Sequence, residues 1–228
     1  YKKQLKSLRG SVDLVAGGPP CQGFSMAGKR VEDDIRNQLV FSYIDFIDMV
    51  RPRLILFENV KGFTYVFNKN KNSEAIPYSQ IVTEQLESLG YDVHPEIIDF
   101  SKYGVPQRRK RFILVGVLGG FDGVARSFVD KLKSYKDIFL KNKGLEEFCC
   151  VKEAISDLLM GYGLVDTPDR KGFQSGIYGK AESAYQRLLR KGIKRKTTIP
   201  DSHSFAHHGK EKVACFKRLL SEYPLKGK

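Results

Sequence analysis

The segment Val12–Ser25 constrains this chain more than any other, because it joins a short apolar run to a rigid turn. It reads V-D-L-V-A-G-G-P-P-C-Q-G-F-S. The first half is long enough for a buried strand. The Gly-Gly-Pro-Pro sequence then ends regular structure, since glycine frees φ whereas proline fixes φ and removes a hydrogen-bond donor. Cys21 is therefore predicted on a stiff loop just past a strand, where open α/β sheets gather ligands and chemistry. From this segment alone, a buried structural cysteine is an equally good interpretation.

A helix and a second strand follow this loop. Apolar residues recur at helical spacing from Leu39 to Val50, and Pro52 ends the pattern. The run Leu54–Phe57 predicts a second buried strand, so the segment forms a βαβ unit. A right-handed crossover makes the two strands parallel and brings their ends to one edge of the sheet. Cys21 and Glu58 both follow a strand end, and we expect them to share a pocket.

The later part of the chain alternates between helical and strand-like patterns until about Met160, where glycines, basic residues and polar turns begin to dominate. We predict a helix at 78–89 and strands at 91–100 and 111–118. An amphipathic helix, continuous or broken, is predicted at 121–140 with Phe128, Leu132 and Phe139 inward. Two further helices are predicted at 184–189 and 210–220. The pattern indicates an α/β domain over residues 1–159 and a basic segment over 160–228.

Composition limits the classes of protein to which the chain can belong. Its hydrophobic fraction of 41% is typical of a globular protein. No run of eighteen apolar residues occurs, so we expect no membrane span. Four cysteines in 228 residues do not form a disulfide framework, which favours a reducing cytoplasm. His203, His207 and His208 lack cysteine or carboxylate partners at ligand spacing, so no metal site is predicted.

The net charge of +13 is concentrated near the end of the chain. From Lys171 onward there are 14 Lys and Arg against 4 Asp and Glu, a net charge of +10, whereas the preceding residues carry only +3. A basic segment on a nearly neutral body predicts contact with the phosphates of nucleic acid. The alternative is a solvated face that serves only solubility.

Three motifs, in this order, resemble those of the DNA cytosine-5 methyltransferases. They are G-P-P-C-Q-G-F-S at 18–25, E-N-V at 58–60 and Q-R-R-K-R at 107–111. Each motif alone is a weak signal, but each is predicted beside a strand, and together they cover residues 12–117. The resemblance implies a Rossmann-like, S-adenosylmethionine-dependent methyltransferase fold, present in part. It also places the beginning of a target-recognition region in the basic segment.

The resemblance implies covalent catalysis by Cys21 on a cytosine base flipped out of double-stranded DNA. The thiolate adds to C6, which activates C5 for methylation. Positive charge from Arg109 and Arg111 would raise the thiolate fraction of Cys21. Glu58 would act as the general acid at N3, and burial behind Leu54–Phe57 would raise its pKa for that role.

The same resemblance assigns binding roles. In the family, the position of Arg111 faces O2 of the base, and that of Arg109 lies nearer the phosphates and the nucleophile. Substrate contacts are expected at Gln22, Ser25 and Asn59 as well, of which Asn59 would hold the site together by hydrogen bonds. Pro20 and Leu39 match positions near S-adenosylmethionine.

Two parts of the family pattern are missing from the sequence. No Phe-x-Gly-x-Gly turn precedes Val12, and the closing asparagine-containing motifs do not follow the basic segment. We therefore expect most of the S-adenosylmethionine site to lie outside this chain, on a complementary N-terminal half or a second chain. The chain by itself is expected to be inactive.

The sequence thus predicts the central catalytic segment of a DNA cytosine-5 methyltransferase, acting in a bacterial restriction-modification system in the cytoplasm, at the nucleoid. Two alternatives remain at this point. One is a catalytically silent nucleic-acid-binding fragment or a subunit of a split enzyme, and the other is an RNA cytosine-5 methyltransferase.

Overall fold

The structure is a computed structural model that describes residues 2–20, 38–66, 76–194 and 198–222. It divides into two compact units, Tyr1–Cys149 and Cys150–Lys228. The change that we predicted at residue 160 lies ten residues after the boundary between them.

The first unit contains a four-stranded sheet with helices packed on it. Its helices are α1 (Lys2–Ser7), α2 (Gln38–Val50), α3 (Tyr78–Ser88), α4 (Val124–Ser134) and α5 (Lys136–Lys143). Its strands are β1 (Leu14–Gly17), β2 (Leu54–Val60), β3 (Tyr91–Asp99) and β4 (Lys110–Leu118). Short 3₁₀ helices at Lys61–Thr64 and Phe100–Tyr103 follow β2 and β3.

The strand order is β1-β2-β4-β3. β1 and β2 are parallel, with Leu14 opposite Leu54 and Gly17 opposite Phe57, which confirms the predicted βαβ unit. β4 runs antiparallel to both of its neighbours. The carboxyl ends of β1 and β2 and the amino end of β4 therefore meet at one edge of the sheet, which we call the carboxyl edge. This mixed α/β arrangement fits part of the S-adenosylmethionine-dependent methyltransferase fold.

The main core lies between the sheet and helices α2 and α3. The helices contribute fully buried side chains at helical spacing, including Val40, Ile47, Val82 and Leu86. The rings of Phe57 in β2, Phe112 in β4 and Phe63 in the 3₁₀ helix after β2 lie with their centroids 5.4 to 6.1 Å apart. Burial of each such side chain contributes about 1.5 to 3 kcal/mol. This packing fixes β2 against β4, the two strands that carry Glu58 and Arg111.

Helix α4 packs over β3 and β4 on the face of the sheet that α2 and α3 do not cover. The residues that it buries there are not the ones that we predicted. Ala125 and Val129 are fully buried there, against Ile98, Ile113 and Val115. The three residues predicted to face inward are instead 54%, 40% and 37% exposed, respectively: Phe128 and Leu132 of α4, and Phe139 of α5. Asp92 fixes the start of the helix by accepting a hydrogen bond from the backbone N–H of Ala125 at 2.7 Å. Small side chains can then approach the sheet closely, whereas the aromatic rings are turned aside.

The second unit is built from short elements. Its helices are α6 (Val151–Ile155), α7 (Ala184–Leu189) and α8 (Lys210–Glu222), and its strands β5 (Leu164–Asp166) and β6 (Gln174–Gly176) pair antiparallel. Helix α7 has the predicted bounds, and α8 extends two residues further than predicted. Among the helices of the described residues, none has the length and apolar character needed to cross a membrane.

A polar cluster explains why the second unit begins before residue 160. The buried Asp157 side chain forms an ion pair with Arg190, whose guanidinium also donates to the backbone oxygen of Gly179 at 2.9 Å. The buried Gln186 side chain donates to Oγ of Ser156 at 2.9 Å. These bonds tie the segment after α6 to helix α7, and composition alone does not reveal them.

Candidate active site

Two of the three sequence motifs come together at the carboxyl edge, and the first motif leads into it. Gly17, at the end of β1, is paired with Phe57, the residue before Glu58. Val60, two residues beyond Glu58, is paired with Arg111 at the start of β4. Because β1 and β2 are parallel and β4 is antiparallel to β2, segments far apart in sequence become neighbours.

Glu58 and Arg111 form an ion pair across β2 and β4. The distance from Nε of Arg111 to Oε1 of Glu58 is 2.8 Å. Among the described residues, Nε of Arg111 is buried without a hydrogen-bond partner. Its N–H bond therefore does not point at the carboxylate, and the contact is an ion pair rather than an aligned hydrogen bond. A second donor of the same guanidinium, Nη1, binds the backbone oxygen of Lys110 at 3.0 Å. The arginine is thereby held beside the carboxyl group.

The burial that we expected for Glu58 is only partial, because its side chain is 45% exposed. Glu58 shares a face of β2 with Leu54 and Leu56, which are 43% and 37% exposed. Side chains alternate along a strand, so Ile55 and Phe57 point into the core while Glu58 points to the open face. Arg111 is more enclosed, with 16% of its side chain exposed.

Asn59 joins the strand to the turn that follows β1. Its side chain is 1% exposed, its Nδ2 donates to the backbone oxygen of Pro19 at 3.5 Å, and its Oδ1 accepts from the N–H of Val60 at 2.8 Å. Gly18 lies so close that a Cβ there would approach Oε2 of Glu58 to 3.1 Å. The Gly-Gly-Pro turn therefore packs directly along Glu58 and Asn59.

The ring of Tyr43 packs against Gly17, at the start of this turn. This role was not predicted from the sequence. A Cβ on Gly17 would lie 2.5 Å from Cε2 of Tyr43, so only glycine fits beside the ring. Burial raises the pKa of Tyr43 and keeps the phenol neutral. Its hydroxyl has no hydrogen-bond partner within the part of the chain that the structure describes. The available signal was spacing, since Tyr43 lies one helical turn after Leu39 on α2.

Of the remaining predicted site residues, the structure describes three and leaves three outside the described ranges. Arg109 is exposed in the loop before β4, and its backbone oxygen accepts a hydrogen bond from Phe100 N–H at 3.1 Å. Pro20 is exposed at the end of the turn after β1, and Leu39, in the first turn of α2, is 43% exposed. Three predicted residues lie outside the described residues: Cys21, Gln22 and Ser25.

Two histidines of the second unit, His203 and His207, bind backbone oxygens. Nε2 of His203 lies 3.0 Å from the oxygen of Leu158, and Nε2 of His207 lies 2.9 Å from that of Gly172. Within the described ranges, no group of three or more His, Cys, Asp or Glu side chains is placed to hold a metal ion.

Comparisons with known proteins agree on one family. A model of the family described as C-5 cytosine-specific DNA methylase matches residues 1–202. The type II methyltransferase M.AgeI of Thalassovita gelatinovora is 33% identical over 226 residues, which cover 96% of this chain and 48% of the relative. The type II methyltransferase M.BspRI of Lysinibacillus sphaericus is 30% identical, with 98% and 59% covered. The chain thus spans about half of the length of these curated relatives.

Solved structures also resemble part of the chain. The Dnmt2 methyltransferase of S. pombe superposes with a TM-score of 0.41 at 20% sequence identity. The likeness covers 57% of this chain and 36% of that protein.

Proposed function

Because this chain belongs to the C-5 cytosine-specific DNA methylase family, we propose that it carries the catalytic centre for methylation of cytosine C5 in double-stranded DNA. The observation that carries the proposal is the grouping of Glu58, Asn59 and Arg111 against the turn that leads to Cys21. The relatives named type II methyltransferases favour a restriction-modification role.

In the proposed reaction, the Cys21 thiolate attacks C6 of a flipped cytosine. When the S–C6 bond forms, the C5=C6 π electrons shift away from C6, and the ring becomes an enamine that is nucleophilic at C5. Protonation at N3 prevents negative charge from accumulating in the ring, and Glu58 supplies that proton in its protonated carboxyl form rather than as the carboxylate paired with Arg111. After C5 has been methylated, N3 returns its proton to the Glu58 carboxylate, and transfer of the C5 proton to water expels the Cys21 thiolate and restores the C5=C6 double bond.

Arg111 and Asn59 would hold this geometry. Arg111 is anchored through Lys110 and Glu58, so it presents a fixed positive charge beside the carboxyl group. A fixed charge of this kind stabilises developing negative charge without reorganisation. Asn59 keeps the turn that leads to Cys21 in contact with β2, because it binds the backbone of Pro19. Arg109, which is exposed, is assigned to phosphate contact.

The described residues fit part of a site for S-adenosylmethionine. Pro20 and Leu39 are exposed apolar side chains at the end of the β1 turn and in the first turn of α2. The two would provide apolar contacts to S-adenosylmethionine, which supplies the methyl group when bound.

A covalent trap tests the proposal. In a methylation-competent form of the protein, duplex DNA that carries 5-fluorocytosine at the target base should become attached to the enzyme, because fluorine cannot leave C5 as a proton does. The Cys21→Ala variant should bind the duplex without trapping it, and RNA of the same sequence serves as the substrate control.

Several results would contradict this assignment. Trapping that persists in Cys21→Ala, or a peptide map that places the adduct on Cys149, Cys150 or Cys215, would exclude Cys21 as the nucleophile. Trapping of RNA but not DNA would assign the activity to RNA. DNA binding with neither methylation nor trapping would indicate a silent binding module.

A further inference from the structure

We propose that Lys136 and Glu147 form a positioning pair for the loop 100–109, which carries Gln107–Arg109 of the Q-R-R-K-R motif. By holding this loop in place, the pair increases the affinity for the DNA substrate. The inference rests on the proposed function. Neither residue belongs to a motif of the resemblance, and both lie outside the carboxyl edge. The mechanism is indirect, because the pair acts through the loop rather than on the reacting atoms.

The loop is closed at its base by hydrogen bonds of its own. Asp99, the last residue of β3, pairs with Lys110, the first residue of β4. Just beyond this pair, Phe100 N–H donates to the backbone oxygen of Arg109 at 3.1 Å. Asp99 also accepts from the backbone N–H of Ser101, which caps the 3₁₀ turn. The side chains from Gln107 to Arg109 are exposed beyond this base. These bonds fix where the loop leaves the sheet but not the position of its middle.

The middle of the loop rests on the segment Leu145–Glu147. Gly104 has a φ of 76°, and its N–H donates to the backbone oxygen of Glu147 at 3.0 Å. A Cβ at Gly104 would lie 3.1 Å from Leu145 Cδ1 and 3.4 Å from Leu140 Cδ2. The positive φ favours glycine here, and a larger side chain would also press on the two leucines. The position of Glu147 thus determines where the loop can lie.

Lys136 holds Glu147 in that position. Its Nζ, at the start of α5, lies 2.9 Å from Oε2 of Glu147, with Asp137 as a second and more exposed partner at 3.6 Å. The side chains of Lys136 and Glu147 are 23% and 37% exposed. The hydrogen bond to Glu147 raises the pKa of Lys136, so the lysine stays charged at neutral pH. A charge-assisted bond therefore links α5 to the support of the loop.

A neighbouring pair provides a matched control. Lys133, three residues earlier, lies 2.6 Å from Glu96 of β3, and the two side chains are 48% and 26% exposed. Both lysines come from the α4–α5 segment and bind a glutamate. Glu96 lies within β3, opposite Ile113, whereas the loop begins after Asp99, the last residue of the strand. Substitution of Lys133 therefore removes the same charge without loosening the loop.

The test measures DNA affinity by fluorescence anisotropy in the methylation-competent protein. Lys136→Met should weaken duplex binding by about three- to tenfold, the range expected for removal of one hydrogen bond. Lys133→Met should change it by less than about twofold, because the ion pair that it breaks is bound to β3 and not to the segment that supports the loop. Glu147→Ala should also weaken binding, although it removes a negative charge and would strengthen a purely electrostatic attraction. Lys136→Arg should restore near-wild-type affinity.

Hydrogen exchange gives a readout that does not depend on the reaction. The amides of residues 101–109 should exchange faster in Lys136→Met than in Lys133→Met. Equal effects of the two lysine variants, or tighter DNA binding by Glu147→Ala, would overturn the positioning role. If the wild-type protein does not bind DNA, the proposed function fails, while the exchange rates still decide whether the pair orders the loop.

Discussion

Arg111 and Glu58 face each other diagonally across β2 and β4, and Nε of the arginine lies 2.8 Å from Oε1 of the glutamate. The ladder pairs Arg111 with Val60 rather than with Glu58, so the contact depends on the long arginine side chain reaching back along β2. The proposed acid is therefore held beside a fixed positive charge. This relationship is the basis of the first two predictions.

Glu58→Gln should fold normally but lower the methylation rate by about two to four orders of magnitude, the usual contribution of a general acid. Little stability should be lost, because the side chain is 45% exposed. Glu96→Gln is the control, since Glu96 is also a strand glutamate with a cationic partner. Single-turnover methylation and thermal unfolding measure the two effects. Near-wild-type activity in Glu58→Gln would refute the assignment.

Arg109 and Arg111 should differ in the kind of defect that their removal causes. Arg109→Met should reduce the salt dependence of DNA binding by about one unit of log–log slope, because one phosphate is no longer neutralised. Arg111→Met should instead lower kcat and leave the slope unchanged. A titration of affinity against salt, together with kcat, separates the two. The same slope change in both variants would assign both arginines to phosphates.

Gly17→Ala should destabilise the first unit by about 1 to 3 kcal/mol, since the new methyl group overlaps the Tyr43 ring. The double variant Gly17→Ala with Tyr43→Leu should recover part of that loss by removing the ring. Gly161→Ala is a control at a position where no atom lies within 4 Å of the added methyl group. Urea unfolding gives the free energies. An unchanged urea midpoint in Gly17→Ala would show that the turn and the Tyr43 ring shift to accept the methyl group at little cost in stability.

Asp157→Ala should destabilise the second unit by about 3 to 5 kcal/mol, because it leaves Arg190 partly buried without its carboxylate. The matched control is Glu222→Ala, which breaks the exposed pair with Arg218 and should cost at most about 1 kcal/mol. Comparable losses in the two variants, measured by denaturant unfolding, would mean that the Asp157 pair does not organise the unit.

The exposed lysines of α8 should contribute to DNA binding if the basic segment follows phosphates. Replacing Lys210, Lys212 and Lys217 by Gln should lower the log–log salt slope by up to about 0.9 for each phosphate that is no longer neutralised. The equivalent triple substitution of Lys2, Lys3 and Lys6 in α1 removes the same charge elsewhere. A salt slope that is unaffected by the α8 substitutions would favour a solvated face.

Local signals predicted the parts of the fold that depend on local physics. The apolar runs around Val15 and Ile55, with helical spacing between them, were sufficient for the parallel β1–β2 pair. The same holds for α7, whose start is fixed by a capping box between Ser183 and Gln186. The family motifs were also legible in the sequence, and the match over residues 1–202 confirms the family. The catalytic roles, including that of Cys21, stay predictions.

The tertiary structure decided which faces are covered and which distant residues touch. Alternation along β2 was predictable, but the open face beside Glu58 depends on where α4 lies. The inward residues of α4 were predicted wrongly because both aromatic and small side chains fit its helical period, and the sheet accepts the small ones. The contacts of Tyr43 with Gly17 and of Glu147 with Gly104 join segments more than twenty residues apart. The sequence shows the hydrophobic periodicity of a segment but not which element packs against it. That element is determined by the packing of the whole unit.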